Sequence, residues 1–128
     1  EGRRKPWRSF ADYSEDAGRT WEASTLVYPE NKNEGMIQPT LWESSADPGH
    51  VFMMTRSMRG DRARVWRANS TDYGRTWNAP YKTSLPNNNS GLDVAKLPKT
   101  GTLVLIYNPV TTTRTPLRLA VSRDNGET

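Results

Sequence analysis

The stretch SEDAGRTW, from Ser14 to Trp21, recurs as STDYGRTW from Ser70 to Trp77 and again as SRDNGET from Ser122 to Thr128. All three copies fit the pattern S-x-D-x-G-x-T, and the first two add a tryptophan. Because the copies begin at residues 14, 70 and 122, they lie 56 and then 52 residues apart. This period is typical of one four-stranded blade of a β-propeller. The repeat therefore predicts a chain built from successive blades.

Each position of the repeat has a structural role. The aspartate accepts hydrogen bonds from backbone N–H groups of its own turn, and the glycine permits a positive φ. The tryptophan supplies an apolar plate, and the serine and threonine add hydrogen bonds. A calcium loop is the alternative, but each copy lacks the further acidic ligands and the terminal bidentate glutamate of such a loop. We assign a structural role to Ser14, Asp16, Gly18, Trp21, Ser70, Asp72, Gly74, Trp77, Ser122, Asp124 and Gly126.

The composition favours an all-β chain that needs further sequence to complete its core. Nine glycines and nine prolines are typical of short strands joined by tight turns. Only 34% of the 128 residues are hydrophobic, which argues against a self-contained core. We therefore expect the rest of a propeller to complete the fold.

The charge and the cysteine content exclude several classes of partner. The net charge is +4, and the basic residues show no nucleic-acid-binding motif, so no nucleic-acid partner is expected. The sequence has no cysteine, which excludes disulfides and thiolate metal sites and leaves the cellular compartment open. No apolar run is long enough to span a membrane.

The repeat resembles the Asp box of sialidases and related propellers, where it closes the hairpin between the third and fourth strands of a blade. The resemblance implies an all-β fragment of a six-bladed, sialidase-like β-propeller, with about two blades of four-stranded antiparallel sheet and Asp-box turns. Residues 1–30 would end one blade, residues 31–84 would form a complete blade, and residues 85–128 would form a truncated one. It also favours a secreted or periplasmic protein.

The box positions and the strand signals set the predicted register. Because strands of a blade are antiparallel, the Asp-box turns and the first-to-second hairpins should share one face, and the ligand-binding residues should lie on the other. Leu117, Leu119 and Val121 should share one side of their strand. The predicted strands are Ser9–Tyr13, Ile37–Glu43, Val51–Ser57, Arg64–Asn69, Trp77–Lys82, Leu92–Leu97, Thr102–Tyr107 and Leu117–Val121.

Two arginines match positions of the sialidase site. IQPTLWES followed by HVFMMTRS is similar to a sialidase blade whose second strand ends in an arginine, which is Arg56 here. YNPVTTTRTPLRLAVSRDNG is similar to a blade with Asn-Pro, a short loop and an arginine, which is Arg114. In sialidases two such arginines help to bind the sugar carboxylate through their planar forks. The resemblance implies a glycoside hydrolase that releases a terminal carboxylated sugar from a glycan or glycoconjugate, without a metal or organic cofactor.

One position departs from the family pattern. Gln38 stands where sialidases carry a catalytic glutamate, unless the nearby Glu34 takes that role, and glutamine cannot act as a general base. The third arginine, the acid/base aspartate and the nucleophilic tyrosine are expected outside residues 1–128. Two alternatives therefore stay open: a carbohydrate- or protein-binding propeller without catalysis, and a uronate-acting relative with lyase chemistry.

Further polar residues are predicted to line the pocket. Asn89, Ser90 and Asp93 open an inner strand, and Asp93 is a candidate for catalysis, for sugar binding or for capping the turn. Tyr107 and Asn108 are candidate substrate-binding residues of the same kind. His50 is expected on the surface, and Trp42, Trp66 and Phe52 between blades. A solvated or surface-paired role is predicted for Arg59, Arg62, Arg64 and Arg67.

Overall fold

The computed structural model describes residues 6–58 and 64–128, which form nine β-strands and no helix. Antiparallel pairing produces three sheets: a two-stranded sheet of β1 and β2, a four-stranded sheet of β3 to β6, and a three-stranded sheet of β7 to β9. The all-β, blade-like architecture that the repeat predicts is confirmed. The strands are β1 (Asp12–Tyr13), β2 (Glu22–Ala23), β3 (Met36–Glu43), β4 (Val51–Ser57), β5 (Arg64–Ser70), β6 (Tyr81–Pro86), β7 (Asp93–Lys96), β8 (Leu103–Tyr107) and β9 (Arg118–Ser122).

Most predicted strands agree with the structure to within one residue at each end, but the outer strand does not. The prediction Trp77–Lys82 is wrong, because β6 spans Tyr81–Pro86. The Trp77 indole N–H instead donates back to the box glycine carbonyl at 3.0 Å. The backbone N–H of Asn78 donates to the Asn69 carbonyl at 2.9 Å. The chain is therefore still closing the box turn where the strand was predicted to start.

The first predicted strand is also shorter than expected. Of the predicted range Ser9–Tyr13, only Asp12–Tyr13 forms a strand, and Ser9 makes an isolated bridge with Val27. In residues 6–58 and 64–128 there is no helix with the length and apolarity needed to cross a membrane.

Apolar side chains cover both faces of the four-stranded sheet. Successive residues of β4 point to opposite faces, so Met53 joins one buried cluster while Phe52 and Met54 join the other. The first cluster reaches Val27, which follows β2, and the second reaches Leu103 on β8. Each face of the middle sheet is thus closed by a neighbouring sheet. The clusters comprise Val27, Met36, Met53, Trp66 and Ala68, and Trp42, Phe52, Met54, Val65 and Leu103.

The outer face of β9 is open. Leu119 and Val121 share it, as the alternation predicts, and they are 64% and 61% exposed. Leu117, just before β9, is 64% exposed. No described residue buries this apolar face.

The box turns and the hairpin between β3 and β4 lie on one face of the molecule, as predicted. The backbone N–H of Tyr73, in the second box, donates to the carbonyl of Gly49 at 3.0 Å. A Cβ atom on Gly49 would lie 2.9 Å from the Tyr73 ring, so glycine is required for this close approach. The opposite ends of β3 and β4 and the loop into β7 therefore meet on the other face, which we call the channel face.

Arg67 contradicts its predicted surface role, because it is only 2% exposed. Its guanidinium donates to the carbonyls of Gly126 and Asn125 at 2.7 and 3.0 Å and pairs with Glu127 at 2.9 Å. It also lies 4.8 Å from the centre of the Phe52 ring. Since neighbouring sheets cover both faces of the middle sheet, a charged side chain on β5 is buried and must be paired. Arg67 thereby attaches the third box to the second blade.

The other residues with predicted surface roles differ among themselves. Arg64 is half-buried at the start of β5, whereas Arg59 and Arg62 lie outside the described residues. His50 is half-buried, with Nδ1 3.3 Å from Asp47 Oδ2 and its ring 4.4 Å from the Phe52 ring. It therefore belongs to the β3–β4 hairpin on the box face.

Candidate functional site

The three Asp boxes are closed networks of short-range hydrogen bonds. In the second box, Ser70 Oγ donates to Asp72 Oδ1 at 2.7 Å and accepts from the Gly74 N–H at 2.9 Å. Asp72 also accepts from the backbone N–H and the hydroxyl of Thr76, at 2.9 and 2.5 Å. The same contacts recur in the first and third boxes. Each aspartate therefore stabilises its own turn by accepting hydrogen bonds within it.

These hydrogen bonds stabilise the ionised carboxylates. The backbone N–H of Thr20, with the hydroxyls of Thr20 and Ser14, lowers the pKa of Asp16 to about 2. The hydroxyl and backbone N–H of Thr76 lower the pKa of Asp72 to about 2 in the same way. The pKa of Asp124 is also well below its usual range, first because of the Ser122 hydroxyl. Within residues 6–58 and 64–128 no cluster of three or more acidic or histidine side chains could hold a metal ion.

Sequence reasoning missed one feature of the boxes. The residue before each box glycine has a positive φ, at 59° for Ala17, 60° for Tyr73 and 57° for Asn125. Asparagine tolerates this left-handed region more readily than alanine or tyrosine. Asn125 was therefore the one residue type at this position from which a positive φ could have been predicted.

On the channel face, the guanidinium of Arg56 contacts side chains from three parts of the chain. Nη1 donates to Gln38 Oε1 at 2.7 Å, and Nη2 donates to Asn89 Oδ1 at 2.7 Å. The guanidinium carbon lies 5.4 Å from the centre of the Trp7 ring. Gln38 comes from β3, Asn89 from the loop before β7, and Trp7 from the segment before β1. These side chains meet only because the segments that carry them are brought together when the sheets pack against one another.

The positive charge of Arg56 has no described carboxylate to neutralise it. Its two hydrogen-bond partners are neutral amides. Burial lowers the pKa of Arg56, and the positive charge of Arg114 lowers it further. The buried Nε has no hydrogen-bond partner in the described part of the chain. Two neighbouring guanidinium groups that no described carboxylate neutralises favour an anionic ligand.

Gln38 has an unusual backbone. Its φ is 54°, and the pairing of β3 with β4 is interrupted between Ile37 and Thr40. A non-glycine residue in this region costs on the order of 1 kcal/mol or more, and such strain is concentrated at functional sites. The bulge directs the Gln38 amide toward Arg56. Pro39 was the sequence signal, since proline within a strand marks a bulge or an edge.

Glu34, the other candidate for the missing glutamate, does not contact Arg56 here. Its Oε1 lies 2.8 Å from Lys82 Nζ. In this conformation its carboxylate is engaged with the outer strand of the same blade.

Asn108 holds the loop that carries Arg114. It is 5% exposed, and its Nδ2 donates to the carbonyls of Arg114 and Pro116 at 2.8 and 2.9 Å. The Arg114 side chain is exposed, while Tyr107, at the end of β8, is 6% exposed. In this structure Asn108 and Tyr107 therefore lie beneath the site, and Arg114 lies at its surface.

Asp93 and Ser90 occupy different environments. Asp93 Oδ1 accepts from the Thr40 hydroxyl at 2.7 Å and from the Val94 N–H at 2.9 Å, so it joins β7 to β3. Ser90 is 5% exposed, and its hydroxyl has no partner among the described residues. The structure thus brings Gln38, Arg56 and Asn89 into direct contact and places Arg114 near them.

The whole chain, residues 1–128, matches the BNR repeat-like domain. The chain belongs to this family. A comparison with curated protein sequences gives no match.

Solved structures show the fold of this BNR repeat-like domain. A protein of unknown function from Dyadobacter fermentans aligns with a TM-score of 0.72 and 21% identity, covering 91% of this chain and 30% of that one. The K499G mutant of NanB sialidase from Streptococcus pneumoniae aligns with a TM-score of 0.68 and 18% identity, covering 92% of this chain and 18% of that one. This chain thus spans less than a third of the length of either structure. The fold is that of a sialidase-like propeller.

The contact of Trp7 was not predicted, and for Asn87 and Asn88 the sequence predicted a position on the channel face but not their partners. Trp7 gave no signal, because nothing in the sequence relates residue 7 to residue 56. Asn87 and Asn88 were visible as part of an Asn-rich loop, but turn chemistry explains such a loop equally well. Their partners, Ser57 and Thr113, became apparent only in the folded chain.

Proposed function

We propose that this BNR repeat-like domain supplies part of the substrate site of a sialidase-like glycoside hydrolase acting on a terminal carboxylated sugar, sialic acid or a related acidic sugar. The observation that carries the proposal is the charge of Arg56, which no carboxylate among the described residues neutralises, which is held by two amide oxygens and which lies close to Arg114. A carboxylate would supply the missing negative charge.

The geometry leaves Arg56 able to bind such a group. Guanidinium carries five N–H donors, and two of them are used by Gln38 and Asn89. The remaining donors are one N–H on each Nη atom and the Nε–H, all of which can bond to carboxylate oxygens. The neighbouring amides hold the fork in place without cancelling its charge. Preorganisation of this kind reduces the entropy lost on binding.

The Trp7 indole supports a sugar as the ligand. It lies against Arg56 and is 36% exposed. An aromatic ring beside a charged group offers an apolar surface next to the polar contacts, as small-molecule sites commonly do. The proposed ligand therefore combines a carboxylate with a ring that has an apolar face.

A second candidate function is favoured by Gln38. A neutral amide at this position orients Arg56 but supplies no general base. A propeller that binds acidic sugars without cleaving them would require only the arginines and their supports. Binding is common to both candidates, and hydrolysis distinguishes them.

Binding is tested on the full-length protein by isothermal titration with N-acetylneuraminic acid and with its methyl ester. We expect Arg56→Ala to weaken binding of the acid by about 100-fold, the order found for a hydrogen-bonded charge partner. Arg56→Lys should lose about tenfold, because lysine keeps the charge but not the fork. Arg19→Ala, which removes an exposed arginine on the box face, is the matched control. Equal affinity of the wild type for the acid and the ester would overturn the proposal.

Hydrolysis is tested separately with a fluorogenic sialoside. Release of the fluorophore by the wild type, lost in Arg56→Ala, would support a hydrolase. Binding of the acid without release would support the binding-only candidate.

A further inference from the structure

The run of three asparagines before β7, residues 87–89, forms what we call the triple-asparagine loop. Asn87 is fully buried, and its Oδ1 accepts from the backbone N–H and the hydroxyl of Ser57, both at 3.3 Å. It also accepts from the Asn89 N–H at 3.0 Å, and its Nδ2 donates to the Ser90 carbonyl at 2.9 Å. The base of the loop is thus fixed to the residue that follows Arg56.

The next two asparagines contact Arg56 and the loop of residues 109–116, which carries Arg114 and which we call the Arg114 segment. Asn89 accepts from Arg56 Nη2 at 2.7 Å. Asn88 Nδ2 donates to the carbonyl of Thr113, the residue before Arg114. Adjacent residues of one loop therefore hold Arg56 on one side and the Arg114 segment on the other.

The Arg114 segment needs such a tether. Its residues 111–116 are exposed, and the positive charges of Arg56 and Arg114 repel each other. Asn108 links the segment only to the end of its own strand, through the Arg114 and Pro116 carbonyls. The Asn88 side chain also bonds to this segment, and it comes from a different part of the chain. Among the described residues, it is the one side chain beyond β8 and the loop after it that does so.

We propose that Asn88 is a positioning residue, which sets the separation between Arg56 and Arg114 and thereby the preference of the site for a carboxylate. This inference rests on the proposed function above. Without the Asn88 amide, repulsion moves the exposed Arg114 loop away from Arg56, and a carboxylate then meets one guanidinium instead of two. Asn88 acts entirely through Arg114, so its effect disappears when Arg114 is absent.

A double-mutant cycle on the full-length protein tests this dependence. Isothermal titration with N-acetylneuraminic acid is performed on the wild type, Asn88→Ala, Arg114→Ala and the double variant. We expect about tenfold weaker binding for each single variant and no further loss in the double variant. The methyl ester should bind the wild type and Asn88→Ala equally. Asn33→Ala, an exposed asparagine, is the matched control, and thermal unfolding checks that each variant folds.

The outcomes separate the two proposals. Additive losses in the double variant would show that Asn88 does not act through Arg114 and would overturn the inference alone, as would a normal affinity of Asn88→Ala beside a weakened Arg114→Ala. Normal affinity of Arg114→Ala would instead contradict the two-arginine site and both proposals with it. Should Asn88→Ala fail to fold, Asn88→Ser is used in the same cycle, and it should give the same non-additive pattern.

Discussion

The Asp-box turns and the channel-face site are built from contacts of opposite range. In the second box, Ser70 bonds to residues two and four positions away. At the channel face, Arg56 bonds to residues 18 and 33 positions away, and Asn88 reaches a residue 25 positions away. A box can therefore form from one short segment, whereas the site forms only when three sheets have assembled.

The two regions also differ in how their charges are satisfied. The box carboxylates receive all their hydrogen bonds from their own turn, which lowers their pKa values. On the channel face, Arg56 bonds to two neutral amides and is affected by the positive charge of Arg114. The carboxylates of the boxes are thus hydrogen-bonded within their turns, while the charge of Arg56 has no counter-charge among the described residues. This difference separates a structural element from the proposed binding site.

The largest effect on stability is expected at the third box, which is bonded to the distant residue Arg67. Arg67→Ala removes the buried guanidinium that bonds the third box and should lower the free energy of unfolding by about 3 kcal/mol, since it leaves two partly buried carbonyls unpaired and a cavity. Urea denaturation of the full-length protein measures the change. Arg123→Ala, at an exposed position within the same box, should have little effect. A similar loss for both variants would mean that the Arg67 contacts do not stabilise the fold.

A smaller effect is expected from placing a carboxylate at the channel face. Gln38→Glu should form an ion pair with Arg56 and compete with the ligand, so binding of N-acetylneuraminic acid should weaken by about tenfold. Isothermal titration measures the affinity. Asn33→Asp makes the same change from amide to carboxylate at an exposed loop position and should leave binding unchanged. Unaltered or tighter binding by Gln38→Glu would show that the open charge of Arg56 is not what attracts the ligand.

The smallest effect is the contribution of the box carboxylates to thermal stability at acidic pH. The pKa of Asp72 falls from 3.8 to about 2 on folding. Because the folded-state pKa is the lower one, its contribution to stability is complete above about pH 4 and is lost as the pH falls toward 2. Asp72→Asn should therefore show a shallower fall of the thermal midpoint between pH 4 and pH 2 than the wild type.

Asp12→Asn, an exposed aspartate outside the boxes, serves as the control for that measurement. Its acid dependence should match that of the wild type. Ligand binding should stay constant between about pH 5 and 8, where a sugar carboxylate remains ionised. A steep change of binding in that range would implicate a titrating group that the channel face does not show.

The sequence by itself determined the boxes and most of the strands. Ser, Asp, Gly and Thr at fixed spacing specify a turn whose hydrogen bonds close within a few residues, so the pattern contains nearly all the information the turn needs. The predicted strand ends match the observed ones to within about one residue wherever the alternation of apolar residues and the turn residues indicated the same boundary. Arg56 and Arg114 were predicted as site residues from family resemblance, because nothing local distinguishes them from the other arginines.

Only the tertiary structure decided which polar residues meet. Trp7, Gln38 and Asn89 reach Arg56 from separate segments. Arg67 looked like a surface residue until the third box was seen to cover it. The physical reason is that such contacts depend on how whole sheets pack, and the packing is set by the buried apolar clusters between them rather than by the spacing of residues along any one strand.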